Sequence, residues 1–202
     1  TTGDDDTTGD DDQDPCTWTV PDDHATIADA LAAAVDGEVI CVRAGTYPEL
    51  LDFGGKEVHL LGLDGPAATV VDGGGAGSVV RFVSSEGPDA VLEGFTLTGG
   101  EAGDGGGIHV ESAAPTLIDL VVEFNRASND GGGLYSEQGA PTLSGVILRN
   151  NLADDDGGGA FFEGGTALFD GATVADNEAG WDGGGLFLME AQIDLTASDL
   201  EG

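Results

Sequence analysis

Basic residues are scarce in this sequence. Five Lys and Arg stand against 39 Asp and Glu, which gives a formal net charge of −34 at pH 7 over 202 residues. Nucleic acids are excluded as partners because their phosphates require a basic surface. Anionic membranes and anionic polysaccharides are disfavoured for the same reason. The excess of carboxylates instead favours cations, above all divalent ions that prefer oxygen ligands.

Long hydrophobic runs are also missing, and cysteine is rare. No apolar segment is long enough to cross a membrane. Cys16 and Cys41 are the only cysteines, and a single pair is typical of one disulfide in an oxidising compartment. Two buried thiols would give the same sequence pattern. We predict the disulfide, and with it a secreted, extracellular or cell-surface protein.

The first 15 residues differ in composition from the remainder. Seven of them are Asp, and the segment has low complexity. Such a composition is typical of a disordered spacer, although a cation-binding or docking strand is the alternative. We therefore divide the chain into an Asp-rich segment, residues 1–15, and a folded domain, residues 16–202.

One helix is predicted near the start of the folded domain. Thr26 followed by Asp29 resembles a capping box, and apolar residues then fall on one face until Asp36 and Gly37 supply a stop. We expect a short helix over about residues 26–35. Because it is apolar on one side and isolated among strand-like segments, it fits a cap on the open end of a larger structure.

A 26-residue repeat dominates the rest of the chain. Its units hold about three short Val/Ile/Leu-rich strands separated by Gly-rich or Asn/Asp turns. Four GGG triplets share the spacing, and an Asp precedes each one. The triplets are 105–107, 131–133, 157–159 and 183–185, and Asn125, Asn151 and Asn177 recur with the same period.

A unit of this length cannot bury a core alone, so it must stack on its neighbours. Stacking predicts parallel sheets with equivalent residues about 4.8 Å apart along the stack. The fold class that follows is all-β, a right-handed parallel β-helix of about six to seven coils with a short N-terminal capping helix. Three inward columns are expected: Leu117, Leu143, Phe169 and Leu195; Val122, Leu148, Val174 and Leu200; Ile108, Leu134, Ala160 and Leu186.

Two stretches carry a resemblance to known families. IADALAAAVDGEVICVRAGTY and GKEVHLLGLDGPAATVVDGGG, within residues 25–75, resemble the opening of pectin-lyase-like right-handed β-helix proteins. Residues 105–190 resemble the GGG-type repeats of bacterial surface β-helix proteins, including polymorphic outer-membrane protein repeats. The resemblance implies the fold, and it implies little about function because this fold serves lyases, hydrolases, adhesins and structural proteins alike.

Two columns of carboxylates are expected along the stack. Like charges one rung apart repel by about 1 kcal/mol in water, and Ca²⁺ between rungs would relieve the repulsion through Ca–O bonds of about 2.3–2.6 Å. The alternative is that the Asp residues are turn formers and the Glu residues solvated surface. The predicted metal ligands are Asp72, Asp104, Asp130, Asp156, Asp182, Asn129, Asp155, Glu86, Glu111, Glu137 and Glu163, with a break of the Glu column at Met189.

A third column is aromatic. His109, Tyr135, Phe161 and Phe187 share one position in each repeat, and alternation along a strand directs them outward if Ile108 points inward. Such a column could bind sugar rings or another protein, or it could pack against itself and a neighbouring loop. We predict it as a possible contact column.

The last coil, as the sequence has it, still carries Leu195 and Leu200 in register and no polar cap follows. Uncapped β-helix ends favour pairing with another chain, so end-to-end self-association into filaments is expected. The function predicted first is a non-enzymatic structural or surface protein stabilised by Ca²⁺ on its carboxylate columns. The alternative is a carbohydrate-binding adhesin or a polysaccharide-active β-helix enzyme that acts on a neutral or cationic glycan.

Overall fold

The strands form four parallel sheets that run side by side along a solenoid of about seven turns. The computed structural model describes residues 15–200, so the predicted Asp-rich segment lies outside the described residues except for Pro15. The early turns visit sheet 1, sheet 2 and sheet 3, and from Val91 onward each turn visits sheet 1, sheet 2, sheet 4 and sheet 3. The all-β parallel β-helix predicted from the repeat is confirmed.

Sheets 1 and 2 form two sides of the solenoid. Sheet 1 contains β1 (Trp18–Val20), β2 (Val39–Val42), β5 (His59–Gly62), β8 (Val91–Glu93), β12 (Thr116–Ile118), β16 (Thr142–Ser144), β20 (Thr166–Asp170) and β24 (Gln192–Thr196). Sheet 2 contains β3 (Gly45–Tyr47), β6 (Thr69–Asp72), β9 (Thr96–Thr98), β13 (Val121–Glu123), β17 (Ile147–Arg149), β21 (Thr173–Ala175) and β25 (Asp199–Leu200).

Sheets 3 and 4 close the turn. Sheet 3 contains β4 (Leu51–Asp52), β7 (Val80–Phe82), β11 (Ile108–Glu111), β15 (Leu134–Glu137), β19 (Ala160–Glu163) and β23 (Leu186–Met189). Sheet 4 contains only two-residue strands: β10 (Glu101–Ala102), β14 (Arg126–Ala127), β18 (Leu152–Ala153) and β22 (Glu178–Ala179).

The three predicted inward columns are confirmed by the strand register. Leu117 pairs with Leu143, which pairs with Phe169, and the other two columns align in the same way. Their members in the middle turns are almost fully buried. The core is therefore a set of continuous apolar columns, and each turn contributes one rung to each of them.

The corners between sheets require a left-handed backbone. At the corner between sheets 1 and 2, successive turns place Gly94, Asp119, Gly145 and Gly171 at φ of 80°, 47°, 64° and 63°. Glycine adopts this conformation without strain, and Asp tolerates it better than most residues do. One such residue bends the chain from one sheet to the next, which explains the Gly/Asp turns of the repeat.

The helix α1 (Ile27–Ala33) covers the first turns. The Thr26 hydroxyl accepts the N–H of Asp29 at 3.0 Å, which confirms the predicted N-cap. Both carboxylate oxygens of Glu49 accept N–H groups of the first helical turn, at 3.1 and 2.8 Å. The helix ends two residues earlier than predicted because Ala34 is extended, with ψ at 153°.

Covalent linkage fixes the same end of the solenoid. Cys16 and Cys41 form a disulfide with a Cα–Cα distance of 5.6 Å, as predicted. Cys41 lies on β2 and is fully buried, so the bond ties the chain entering β1 to the second strand of sheet 1. Within residues 15–200, the chain has no helix with the length and apolarity that spanning a membrane requires.

A buried asparagine ladder joins successive turns at the corner after sheet 2. Asn125 donates both its backbone N–H and its side-chain amide to Oδ1 of Asn151, each at 3.1 Å. Asn151 makes the same two bonds to Asn177 at 3.0 Å and also donates to the Val122 carbonyl at 2.9 Å. Each amide thus satisfies backbone groups that the bend removes from the sheets.

We predict that Asn151→Ala lowers the free energy of unfolding by about 2–4 kcal/mol, because it leaves several buried donors and acceptors unpaired at about 1–3 kcal/mol each. Chemical unfolding followed by circular dichroism measures the change. The matched control is Asn129→Ala in an exposed turn, where we expect a change within about 0.5 kcal/mol. Equal effects of the two variants would contradict a structural role for the ladder.

Candidate functional site

The predicted Asp column lies in the turns between sheets 4 and 3. Oδ1 of Asp104 accepts the backbone N–H of Asp130 at 3.3 Å, and the contact repeats from Asp130 to Asp156 at 3.0 Å and from Asp156 to Asp182 at 2.8 Å. Four carboxylates therefore stack in one column, as their spacing predicts. Each of the first three uses one oxygen to hold the next turn in place.

The glycine triplets allow these turns to stack at backbone contact distance. A Cβ on Gly131, whose φ is 67°, would lie 2.9 Å from the Cα of Tyr135, and one on Gly132 would lie 2.5 Å from the Leu152 carbonyl oxygen. One on Gly133 would meet the Gly159 carbonyl oxygen at 2.5 Å. Any side chain would separate the turns, so the triplet keeps the Asp carboxylates within reach of the next rung.

Burial raises the pKa of the Asp130 carboxyl, and the negative charges of Asp156, Asp104 and Asp155 raise it further. The hydrogen bond from the Asp156 N–H acts in the opposite direction but does not cancel these effects. The middle of the column is therefore a place where negative charge is crowded. A cation there would lower the pKa again.

The Glu column lies on the outer face of sheet 3. Glu111 pairs in register with Glu137, and Glu137 pairs with Glu163. The column ends where Glu163 pairs with Met189, as predicted. Glu111 is exposed, whereas the other two are partly buried, so their carboxylates line a continuous strip of surface.

The aromatic column stands between these two acidic columns. Ring centroids are 5.3 Å apart from His109 to Tyr135, 5.5 Å from Tyr135 to Phe161 and 5.3 Å from Phe161 to Phe187, and the last two pairs are nearly parallel. The stack is thus real. Tyr135 is 8% exposed and Phe161 only 3%, whereas His109 and Phe187 are partly exposed. The two middle rings therefore pack within the protein, and a contact role of the column stays a prediction.

The covering of these rings has a simple cause. The Asp-Gly-Gly-Gly turns fold back against the strands that follow them, and a Cβ on Gly157 would lie 2.8 Å from the Cβ of Phe161. The Tyr135 hydroxyl donates to Oε2 of Glu163 at 3.3 Å, and burial with the nearby Glu137 and Glu163 raises the pKa of Tyr135. The rings form a second apolar layer outside the main core.

Two of the predicted ligands lie away from the columns. Asp72 is the last residue of β6 on sheet 2, where its Oδ1 accepts the N–H of Gly74 at 3.0 Å. Glu86 is buried in the turn after β7, and its carboxylate accepts the N–H groups of Gly55 and Ser84 at 2.8 and 2.9 Å. The spacing before residue 100 departs from 26, so both assignments to the ladders are wrong.

Asn129 and Asp155 do occupy neighbouring rungs, because the Asp155 N–H donates to the Asn129 carbonyl at 3.0 Å. In the described part of the chain, however, no three His, Cys, Asp or Glu side chains converge in an arrangement that could hold a metal ion. The carboxylates of each column are arranged in a line and do not surround a common point. The calcium sites remain a prediction.

Sequence reasoning missed a cleft at the lower end of the aromatic column. It encloses about 440 Å³, and its lining includes Leu50, Ser78, Arg81, Asp104 and His109. These residues come from three successive turns of unequal length. Only the register of β7 with β11, which sets Arg81 beside His109, brings them together.

Comparison with known proteins supports the fold. No protein-family model matches the sequence, and no curated protein matches it either. In three dimensions the chain is similar to a pectin methylesterase from Aspergillus niger, with a TM-score of 0.52 and 13% identity over 92% of this chain and 76% of that one. A second crystal structure of the same enzyme, in its deglycosylated form, gives a TM-score of 0.47 and 12% identity.

The chain is therefore a parallel β-solenoid that shares its fold with pectin methylesterase. At 13% identity the similarity extends to the fold alone. Since a protein with this fold is an enzyme, the fold does not support our expectation that the chain lacks catalysis.

We predict that Asp130→Asn removes a pH dependence of stability. A carboxyl with a raised pKa in the folded state binds more protons than in the unfolded chain, so stability falls as pH rises from about 3.9 towards the folded pKa. Asn keeps the acceptor oxygen and removes the charge. Thermal unfolding from pH 3.5 to 7 should show a smaller loss for the variant, whereas Asp194→Asn on an exposed position of sheet 1 should retain the parent profile.

Proposed function

We propose that this protein is an extracellular β-helix protein that binds a neutral or cationic carbohydrate chain along the Glu column of sheet 3. The observation that carries the proposal is the register of Glu111, Glu137 and Glu163, which repeats one acceptor group per turn along a straight strip. A repeating row of acceptors matches a polymer whose donors also repeat. Carboxylates accept hydrogen bonds from sugar hydroxyls and attract ammonium groups.

The overall charge limits which carbohydrate can bind. At a net charge of −34, a polyanion would be repelled over the whole length of the solenoid. The pectin methylesterases with the same fold act, by their name, on methyl-esterified pectin. Esterification removes the charge of a carboxylate, so a glycan of that class in its neutral form is compatible with this surface.

An oxidising location agrees with the same proposal. The Cys16–Cys41 disulfide is typical of secreted and surface proteins, which meet polysaccharides outside the cell.

We predict that a glucosamine oligomer or highly methyl-esterified pectin in the gel slows the protein in affinity electrophoresis. Polygalacturonate in the gel should leave the mobility of the protein unchanged. Glu137→Gln should weaken binding by about tenfold, because a hydrogen bond to a charged group contributes about 1.5–3 kcal/mol. The matched control is Glu178→Gln on sheet 4, an exposed residue whose replacement removes the same charge elsewhere.

Equal loss in the two variants would show that total charge, and not the Glu column, governs binding. Slowing by polygalacturonate, or by none of the three polymers, would contradict the proposal. Release of methanol or of reducing ends from pectin, lost on replacing one carboxylate, would assign the protein to the polysaccharide-active enzymes.

A second candidate function follows from the crowded Asp column. The raised pKa of Asp130 reflects burial and neighbouring like charges, and Ca²⁺ bound by the carboxylate oxygens that accept no N–H would relieve the repulsion. The protein would then be a structural surface protein stabilised by divalent cations. End-to-end association into filaments belongs to this proposal.

We predict that removal of Ca²⁺ by EDTA lowers the melting temperature by several degrees and that re-addition restores it. A metal-content measurement on the same sample should find Ca²⁺, and electron microscopy with and without chelator tests for filaments. Asp130→Asn should reduce the Ca²⁺ response, with Asp194→Asn as the control. An unchanged melting temperature would contradict the calcium proposal, and only monomers at high concentration with Ca²⁺ would contradict the filaments.

A further inference from the structure

Arg81 differs from every other basic side chain of this acidic protein. Its guanidinium makes no hydrogen bond or ion pair with any group among residues 15–200, although the residue is exposed. The other four basic residues all have partners. Arg43 pairs with Asp22, Arg126 with Asp154 and Glu101, Arg149 with Glu123, and Lys56 donates to the carbonyls of Leu31 and Ala32.

The position of Arg81 is set by the sheet. It is the middle residue of β7, flanked by the buried Val80 and Phe82, so its side chain projects from the outer face of sheet 3. There it lies in register between Asp52 on one side and His109 on the other. It lines the cleft of about 440 Å³ at the lower end of the aromatic column.

Polar groups of the cleft are held in fixed orientations. Nδ1 of His109 lies 3.3 Å from the Asp104 carbonyl oxygen, and because a carbonyl can only accept, this nitrogen carries the proton. The Nε2 atom then carries a lone pair and can accept a hydrogen bond only from a protonated oxygen of a ligand, so the Arg81 guanidinium supplies the donors for an oxyanion. The Ser78 hydroxyl donates to the same carbonyl at 3.4 Å, and Oδ1 of the Asp104 carboxylate is occupied by the Asp130 N–H.

We propose that this cleft binds an oxyanion group, such as a phosphate or sulfate, through bidentate hydrogen bonds from the Arg81 guanidinium. A guanidinium offers parallel N–H donors that match the oxygens of such a group. Elsewhere in the described chain, carboxylates or carbonyls already occupy the basic groups, so Arg81 is the place where an anion displaces no partner. The proposal does not depend on the Glu column and stands or falls separately from carbohydrate binding.

Charge predicts an unusual salt dependence for this site. The remaining carboxylates repel an approaching anion over distances beyond about 8–10 Å, and salt screens that repulsion. The close contact with Arg81 is screened much less. Moderate NaCl should therefore leave the affinity unchanged or increase it, whereas adventitious binding to a basic surface weakens steeply with salt.

The test is NMR titration of the full chain, whose three histidines give few imidazole signals. The probes are inorganic phosphate, glucose 6-phosphate and glucose, and His109→Gln assigns the reporter signal. We expect both phosphates to shift the His109 signal and glucose to leave it unchanged. A tighter fit of glucose 6-phosphate would identify a sugar-borne anion as the source, and equal affinity a free oxyanion.

Variants decide the role of Arg81. Arg81→Gln should weaken phosphate binding at least about tenfold, and Arg81→Lys should restore part of it because Lys keeps the charge but loses the fork. Arg149→Gln, which removes the same charge on sheet 2, should bind as the parent does. No shift of His109 with either phosphate, or equal affinity of Arg81→Gln and the parent, would overturn the proposal.

Discussion

Parallel register between successive turns is the constraint on which the rest of this structure depends. A turn of about 26 residues cannot enclose a core, and it becomes stable only when its backbone and its apolar side chains continue into the next turn. Leu117, Leu143 and Phe169 are buried because they lie directly above one another. The asparagine ladder depends on the same register, because each Asn bonds to its equivalent in the next turn at the corner where the backbone leaves the sheets.

Because the register is parallel, a charged residue that recurs with the period of the repeat lies beside its equivalent in the next turn. On sheet 2, Glu123 meets Arg149 of the next turn at 2.8 Å, so a column of like charge is avoided. Near sheet 4, Arg126 bridges Glu101 and Asp154 from neighbouring turns. In the Asp column no base is supplied, and backbone N–H groups take its place. This substitution holds the turns together but leaves the charge of Asp130 crowded.

The outer face of sheet 3 combines these features in one strip. Two acidic columns flank buried rings, and the strip begins at Arg81. Among residues 15–200, the carboxylate columns and the one guanidinium without a partner, that of Arg81, lie at different heights of this face. A solenoid keeps such features separate because each turn contacts only its neighbours.

How far the sequence predicts this arrangement depends on the part of the chain. Between residues 104 and 189 the period is constant, and the Asp, Glu, aromatic and apolar columns were all placed correctly. Before residue 100 the turns differ in length, so spacing does not predict position there. Asp72 precedes three glycines as the column Asp residues do, yet Asp72 and Glu86 both lie on other parts of the solenoid. The helix was placed from its N-cap, and its end was missed by two residues because nothing in Ala34 or Val35 signals an extended backbone.

What the sequence determined by itself is therefore the fold and the membership of each regular column, since equal spacing forces equal position in a stack. Only the tertiary structure decided which columns are accessible. Tyr135 and Phe161 point outward as the alternation predicts, yet the glycine turns cover them. Arg81 and His109 meet across turns of unequal length. A period specifies which residues are stacked, whereas burial depends on the path that each turn takes through space.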